Sequence, residues 1–301
     1  MDPTDLSSLA QRFAPQVVDT GGGGIGFRRA GPGESHARTA GQTPLVLLHG
    51  IGSGSGSWVR QLEAFGDARE VLAWDAPGYG ASAPVPEARP QAQDYGARVW
   101  AWLDALAITA PVTLVGHSLG AIMAASAAGL QPARVTRLVL LSPAGGYGLA
   151  TPEVREAKRH DRLHNLETLG PAGMAAKRGA AMLSAQTAQA AQADVRAGGA
   201  PASPASGHAR ALLAYVQATM AQVIPAGYTQ ATHLLAEADL AGLLSAVKAP
   251  LVVASGAADT ITPPAGCEAL AGGAHAPYVS LGPVGHVCAL EGPDAVNALL
   301  K

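Results

Sequence analysis

Residues 111–130 read PVTLVGHSLGAIMAASAAGL. A run of β-branched residues and leucine at 112–115 stops at Gly116, and an alanine-rich segment follows at once. The first half suits a strand buried on both faces. The second suits a helix, because alanine loses no side-chain entropy there. At the join, Gly116-His117-Ser118-Leu119-Gly120 fits G-x-S-x-G. Its two glycines permit a sharp strand-to-helix turn that pushes the Ser118 hydroxyl up out of the sheet.

A serine hydroxyl is a poor nucleophile without a base. Moving outward along the chain, LVVASGAADTITPP offers Asp259 in the loop after its strand, and YVSLGPVGHVCALEGP offers His286 in the loop after the next. Ser, Asp and His in that order, each just beyond a strand, predict a triad. Asp259 orients the imidazole, and His286 takes and returns the proton. The other strand-end position for an acid, LSPAGG at 141–146, carries no carboxylate.

Upstream, VLLHGIGSGSGSW at 46–58 is a strand followed by a glycine-rich turn. Such turns bring backbone N–H groups against an anion, either a bound phosphate or a charge that develops during a reaction. A dinucleotide turn needs a third glycine in G-x-G-x-x-G. Counted from Gly50 that position is Ser55, and counted from Gly52 it is Ser57. GGGGIG at 21–26 matches formally, but FRRAGPG follows it and cannot open a helix. The expected role is an oxyanion hole, in which the N–H of Ile51 or Gly52 converges with that of Leu119.

Further apolar runs at 45–48, 71–74, 138–141, 251–254 and 278–281 alternate with helical patterns, which predicts an α/β architecture on a mostly parallel sheet. Residues 16–31 suit a hairpin that starts the sheet. From about 146 to 236 strand signals vanish, so the expected organisation is a core at 1–145 and 237–301 with a helical cap at 146–236 inserted after the sixth strand. Within it, 184–207 is rich in Ala, Gln and Ser, then in Gly and Pro, and that end is expected to be mobile.

Composition excludes several classes. The 301 residues carry a net charge of −2 with no basic run, which argues against nucleic acid. No apolar stretch reaches the roughly 18 residues of a membrane span. The N-terminus has acids at Asp2 and Asp5 and no signal-peptide core, and two cysteines make no disulfide framework, so a cytoplasmic setting is expected. His160 and His164 lie one helical turn apart, but no third ligand is visible and no metal site is expected. Arg155, Lys158, Arg159 and Arg162 could attract an anion, yet Glu153, Glu156 and Asp161 offset them into a mixed-charge surface. His49 and His117 are expected to be structural or pocket-shaping, and Trp58 and Tyr147 could line the pocket or the core.

HGIG, DAPGYGAS, GHSLGA, SGAADTITP and GHVCALEGP, in this order, resemble the α/β-hydrolase fold family. The resemblance covers roughly 40–145 and 236–301. It implies a serine hydrolase with no cofactor and a small-molecule substrate, a homodimer being an admissible assembly. Relatives of this shape include carboxylesterases, enol-lactonases and the C–C hydrolases of aromatic-ring degradation. GIGSGSGSW looks like the corresponding stretch of the C–C hydrolases, but those often carry Asn where this chain has His117. Dehalogenases and epoxide hydrolases of the fold use an Asp nucleophile, which Ser118 excludes. The expectation is therefore cleavage of a small carboxylic ester or lactone through an acyl-enzyme. The alternatives are C–C hydrolysis of a vinylogous diketone and a non-catalytic ligand-binding protein on the same fold.

Overall fold

Runs of leucine and β-branched residues become strands here because both sheet faces are covered by helices and neither needs polar residues. The computed structural model describes residues 5–31, 42–197 and 203–301. Among them, eight strands form one sheet: β1 (Gln16–Asp19), β2 (Gly24–Ala30), β3 (Leu45–Leu48), β4 (Val71–Trp74), β5 (Val112–His117), β6 (Val135–Leu141), β7 (Leu251–Ser255) and β8 (Tyr278–Ser280). The strand order is β1-β2-β4-β3-β5-β6-β7-β8. β1 and β2 form the expected antiparallel hairpin, β2 pairs antiparallel with β4, and every other pairing is parallel.

Side chains alternate between two cores, as the two-residue period of a strand requires. Val46, Leu48, Leu72, Trp74, Leu114, Leu138 and Leu140 face one layer. Leu45, Leu47, Val71, Ala73, Val115, Val139 and Leu141 face the other. The helices are α1 (Leu6–Arg12), α2 (Val59–Phe65), α3 (Ala92–Ala105), α4 (Gly120–Leu130), α5 (Pro152–Arg178), α6 (Ala185–Ala197), α7 (Pro204–Ala221), α8 (Pro225–Glu237), α9 (Leu240–Leu244), α10 (Pro264–Gly273), α11 (Cys288–Glu291) and α12 (Pro293–Leu300). α3 and α4 cover the first layer; α1, α2 and α12 cover the second.

Between β6 and β7 the chain is helical. α5 is two arms joined at Gly170, whose φ of 63° and ψ of 175° break the helix just before Pro171. The first arm therefore ends where its glycine stands. The alanine- and glutamine-rich stretch forms α6, for which both residues have good propensity, and Ala191 is buried there against the cap. Of the Gly/Pro end that composition marked as mobile, 198–202 lie outside the described residues, whereas Ser203 caps α7 and 204–207 form its first turn, because the serine accepts the Ser206 N–H and Pro204 suits the first helical position. α8 had no distinct signal in the sequence. It packs on α5 and touches the core where Gly227 meets Gly78 backbone to backbone. Among the described residues no helix is long and apolar enough to cross a membrane.

Every turn that carries a candidate residue lies at the C-terminal end of a parallel strand, where ligands bind in open α/β sheets. One of the close crossings is α4 over β3. A Cβ on Gly120 would stand 2.2 Å from the Leu48 carbonyl oxygen. Backbone cannot yield as a flexible side chain can, so Gly120→Ala is expected to lower stability by at least the roughly 1–3 kcal/mol of an overpacked core, read as a shift in the urea midpoint without a change in m-value.

Candidate active site

Ser118 occupies the turn between β5 and α4 with φ of 53°, in the left-handed region that disfavours a side chain. Its N–H donates to Leu141 of the neighbouring strand at 3.0 Å, and its carbonyl accepts from Ala121 and Ala144, both at 3.1 Å. Three backbone bonds thus hold a conformation that costs of order 1–2 kcal/mol. The residue is buried below a cavity of about 510 Å³.

His286 lines the same cavity. Its Nδ1 donates to Asp259 Oδ2 at 2.9 Å. The other carboxylate oxygen of Asp259 accepts the N–H groups of Ile261 at 2.8 Å and Thr262 at 3.0 Å. Burial by itself would raise the Asp259 pKa. The hydrogen bond and charge of His286, with the Thr262 N–H, outweigh it and hold the carboxyl well below its usual range. Thr262 adds its hydroxyl, 2.9 Å from Asp259 Oδ2 and 3.2 Å from His286 Nδ1. Sequence reasoning passed over Thr262, although an Asp followed closely by Thr in a turn is a recognisable local hydrogen-bonding pattern. The Ser118 hydroxyl makes no hydrogen bond to the imidazole in this structure; such contacts often tighten only on the way to the transition state.

The histidine loop is tied to the cap. Glu291 accepts from the N–H of Gly285 at 2.7 Å and from the N–H of Ser184, and the Val287 N–H donates to Met182 at 3.1 Å. His117 donates from Nε2 to the His286 carbonyl at 2.8 Å. Burial, then the charge of His286, push the His117 imidazole down to about 3, so it stays neutral and keeps that donor. It lines the cavity, as does Tyr147. Trp58 does not. It is fully buried in the core beneath the sheet and meets the site only edge-on through the His117 ring, because its large apolar surface is better spent between α2 and the strands.

The glycine-rich turn is braced from every side. Asp75 accepts the Ser55 N–H at 2.7 Å, Tyr79 donates to the Ile51 carbonyl at 2.7 Å, and Tyr215 of the cap donates to the Gly56 carbonyl at 2.9 Å. His49 contacts the Gly50 carbonyl through Nδ1 at 2.8 Å and accepts the Ala76 N–H on Nε2 at 2.9 Å. The Ser53 and Ser57 N–H groups go to Gly50 and Gly54 within the turn. Among the described residues, the N–H groups of Ile51, Gly52 and Leu119 meet no acceptor, and all three residues line the cavity. A Cβ on Gly50 would stand 2.9 Å from Ser118 Cβ, so this turn closes directly over the serine. The arrangement offers a hydroxyl, a base oriented by a carboxylate, and unclaimed N–H donors around one space.

The fold also places two lesser features of the sequence. His160 and His164 stack 5.7 Å apart, and among the described residues no cluster of three metal-ligating side chains occurs. Arg159 is not part of an exposed mixed-charge surface. It is buried and pairs with Glu156 and Glu237, and Arg155 pairs with Glu237 at 2.8 Å, which fastens α5 to α8.

A family model described as "Alpha/beta hydrolase family" matches residues 45–299. The dihydrolipoyllysine-residue acetyltransferase component of an acetoin cleaving system from Pseudomonas putida is 33% identical over 156 residues, 48% of this chain and 41% of that protein. The match spans less than half the length of such curated relatives. A thermophilic esterase from Thermogutta terrifontis superposes with a TM-score of 0.75 at 22% identity, covering 95% of this chain and 96% of that one. The enol-lactonase from Burkholderia xenovorans LB400 superposes equally well, TM-score 0.75 at 23% identity over 95% and 98%.

Because Ser118 is held at positive φ, Ser118→Gly is expected to be more stable than Ser118→Ala by about 1 kcal/mol in urea denaturation. Acid should destabilise the fold through its buried imidazoles. The folded His117 binds its proton near pH 3, against 6.5 for a free imidazole, so between those values the unfolded chain binds more protons and stability falls as pH falls. From pH 7 to pH 5 that loss is about 2 kcal/mol. The burial-lowered His49 adds in the same direction. His117→Asn is expected to flatten the pH dependence of the denaturation midpoint over this window.

Proposed function

The chain belongs to the alpha/beta hydrolase family, and within it we propose that this protein is a serine hydrolase that cleaves a small carboxylic ester or lactone. Ser118 is the nucleophile, His286 the general base and acid, and Asp259 the orienting carboxylate. The observation that carries this reading is the meeting at one cavity of Ser118, held at φ of 53°, and His286, whose Nδ1 is bonded to Asp259.

Ser118 Oγ attacks the carbonyl carbon while its proton passes to Nε2 of His286. Asp259 stays ionised and stabilises the imidazolium from the Nδ1 side. The carbonyl oxygen becomes negative against the N–H of Leu119 and that of Ile51 or Gly52; losing one such donor costs about 2.7–4 kcal/mol in acyl-transfer enzymes. The leaving oxygen takes the proton back from His286, and an acyl-enzyme remains. Water, deprotonated by His286, then releases the acid. No step calls for a cofactor. The core at 1–145 and 237–301 supplies these groups, and the helical segment at 146–236 acts as a cap whose apolar walls suit a small, mostly apolar molecule.

The test is hydrolysis of p-nitrophenyl acetate and butyrate by wild type and Ser118→Ala, with fluorophosphonate labelling alongside. The expected result is turnover and labelling by wild type and a loss of at least about 10⁴-fold in kcat for the variant. Labelling without ester turnover would move the reading to C–C cleavage with the same nucleophile. Absence of both would overturn it.

A further inference from the structure

Arg162 and Arg178 are the cationic side chains, apart from the histidines, that line the cavity over Ser118, and no carboxylate lines it. Both are half-buried. Among the described residues neither makes a hydrogen bond or an ion pair. The acids that could have served them are committed elsewhere: Glu237 and Glu156 are held by Arg155 and Arg159. The charge pattern of α5 is thus sorted by the fold. One part is neutralised against α8, and the other is turned, unmatched, toward the cavity.

An arginine cannot relieve this situation by losing its proton. Removing a guanidinium partly from water, beside Met174, Met182, Val223 and Leu235, costs solvation free energy that only an anion inside the same space returns. Arg162 also lies near enough to Tyr79 for its charge to act on that buried phenol, and Tyr79 is the residue that holds the Ile51 carbonyl. The cation therefore stands on the side of the glycine turn. One helical turn earlier, Lys158 sits 6.0 Å over the ring of Tyr147, another lining residue. The wall is positive at Arg162 and Arg178 and otherwise largely apolar.

We propose that the substrate is an ester or lactone that also carries a free carboxylate, which Arg162 and Arg178 bind while Ser118 attacks the uncharged carbonyl. This rests on the reading of Ser118 as nucleophile. A singly charged, two-oxygen group matches a guanidinium fork, and no third permanent cation lines the cavity to balance a divalent phosphate. In the reaction the acyl C–O bond breaks, the acyl carbon takes the oxygen of water, the leaving oxygen takes a proton, and the bound carboxylate is unchanged. Where the free carboxylate lies on the acyl side, the product acid is a dicarboxylate, and where it lies on the leaving side, it departs with the alcohol.

The experiment compares mono-p-nitrophenyl glutarate with p-nitrophenyl valerate, which share acyl length and differ in the free carboxylate. Wild type is expected to show a kcat/KM for the glutarate at least about tenfold higher, as one charge-assisted contact provides. Arg162→Gln and Arg178→Gln are each expected to lower that ratio by about 10- to 100-fold, with lysine at either position restoring part of it. Lys177→Gln removes a neighbouring exposed cation outside the cavity and is expected to leave the ratio as it is, which separates contact from long-range attraction. A wild type that prefers the valerate, or a ratio that both glutamine variants preserve, would overturn the proposal. Heating Ser118→Ala protein with monomethyl glutarate decides the subsite independently of chemistry. A rise in Tm that Arg162→Gln abolishes supports it even if neither ester is hydrolysed, an outcome that would count only against Ser118 as nucleophile. No rise in Tm would count against the subsite.

Discussion

The site depends on one crossing. α4 passes so close to the end of β3 that Gly120 lies against the Leu48 and His49 carbonyls, with no space for a side chain. Gly116 is pressed in turn against the backbone of Gly120 and Ala121. A helix that starts this near the sheet leaves the intervening residue no ordinary conformation, and Ser118 takes φ of 53° as the consequence. The strain is small beside the packing that imposes it. It fixes the direction of one hydroxyl, and the Gly50 turn closes over it because glycine there too leaves room.

Rigid support continues outward from that crossing. The glycine-rich turn would be loose by composition, yet Asp75, Tyr79, His49 and Tyr215 take up its polar groups, and among the described residues the N–H groups of the cavity-lining Ile51 and Gly52 stay unclaimed. Donors fixed in advance stabilise a developing charge without reorganising, which is why such bracing matters more to chemistry than to stability. Glu291 does similar service for the histidine loop, joining Gly285 to Ser184 of the cap.

Charge is distributed by the same logic. Asp259 is ringed by donors and kept ionised, His117 is kept neutral by burial, and Arg159 is matched inside the α5–α8 contact. Against that order, the two unmatched arginines of the cavity wall stand out as groups whose partner comes from outside the chain.

The sequence by itself determined the sheet, the elbow and the order of Ser118, Asp259 and His286 along the chain. These follow from local rules: buried strands read as apolar runs, glycines stand where backbone approaches backbone, and the loops after strands carry polar residues. Tertiary structure alone decided which of several similar side chains does what. Trp58 and Tyr147 are both aromatic residues near the turn, and only packing sends one to the core and the other to the cavity. Arg155, Arg159 and Arg162 lie on one helix with acids interspersed, and the periodicity of α5 cannot say which of them meets Glu237, since that carboxylate is contributed by α8 from 78 residues beyond Arg159. Thr262 and Glu291 escaped notice because a bracing role is defined by the partner a residue touches, and contacts across the fold leave no period in the chain.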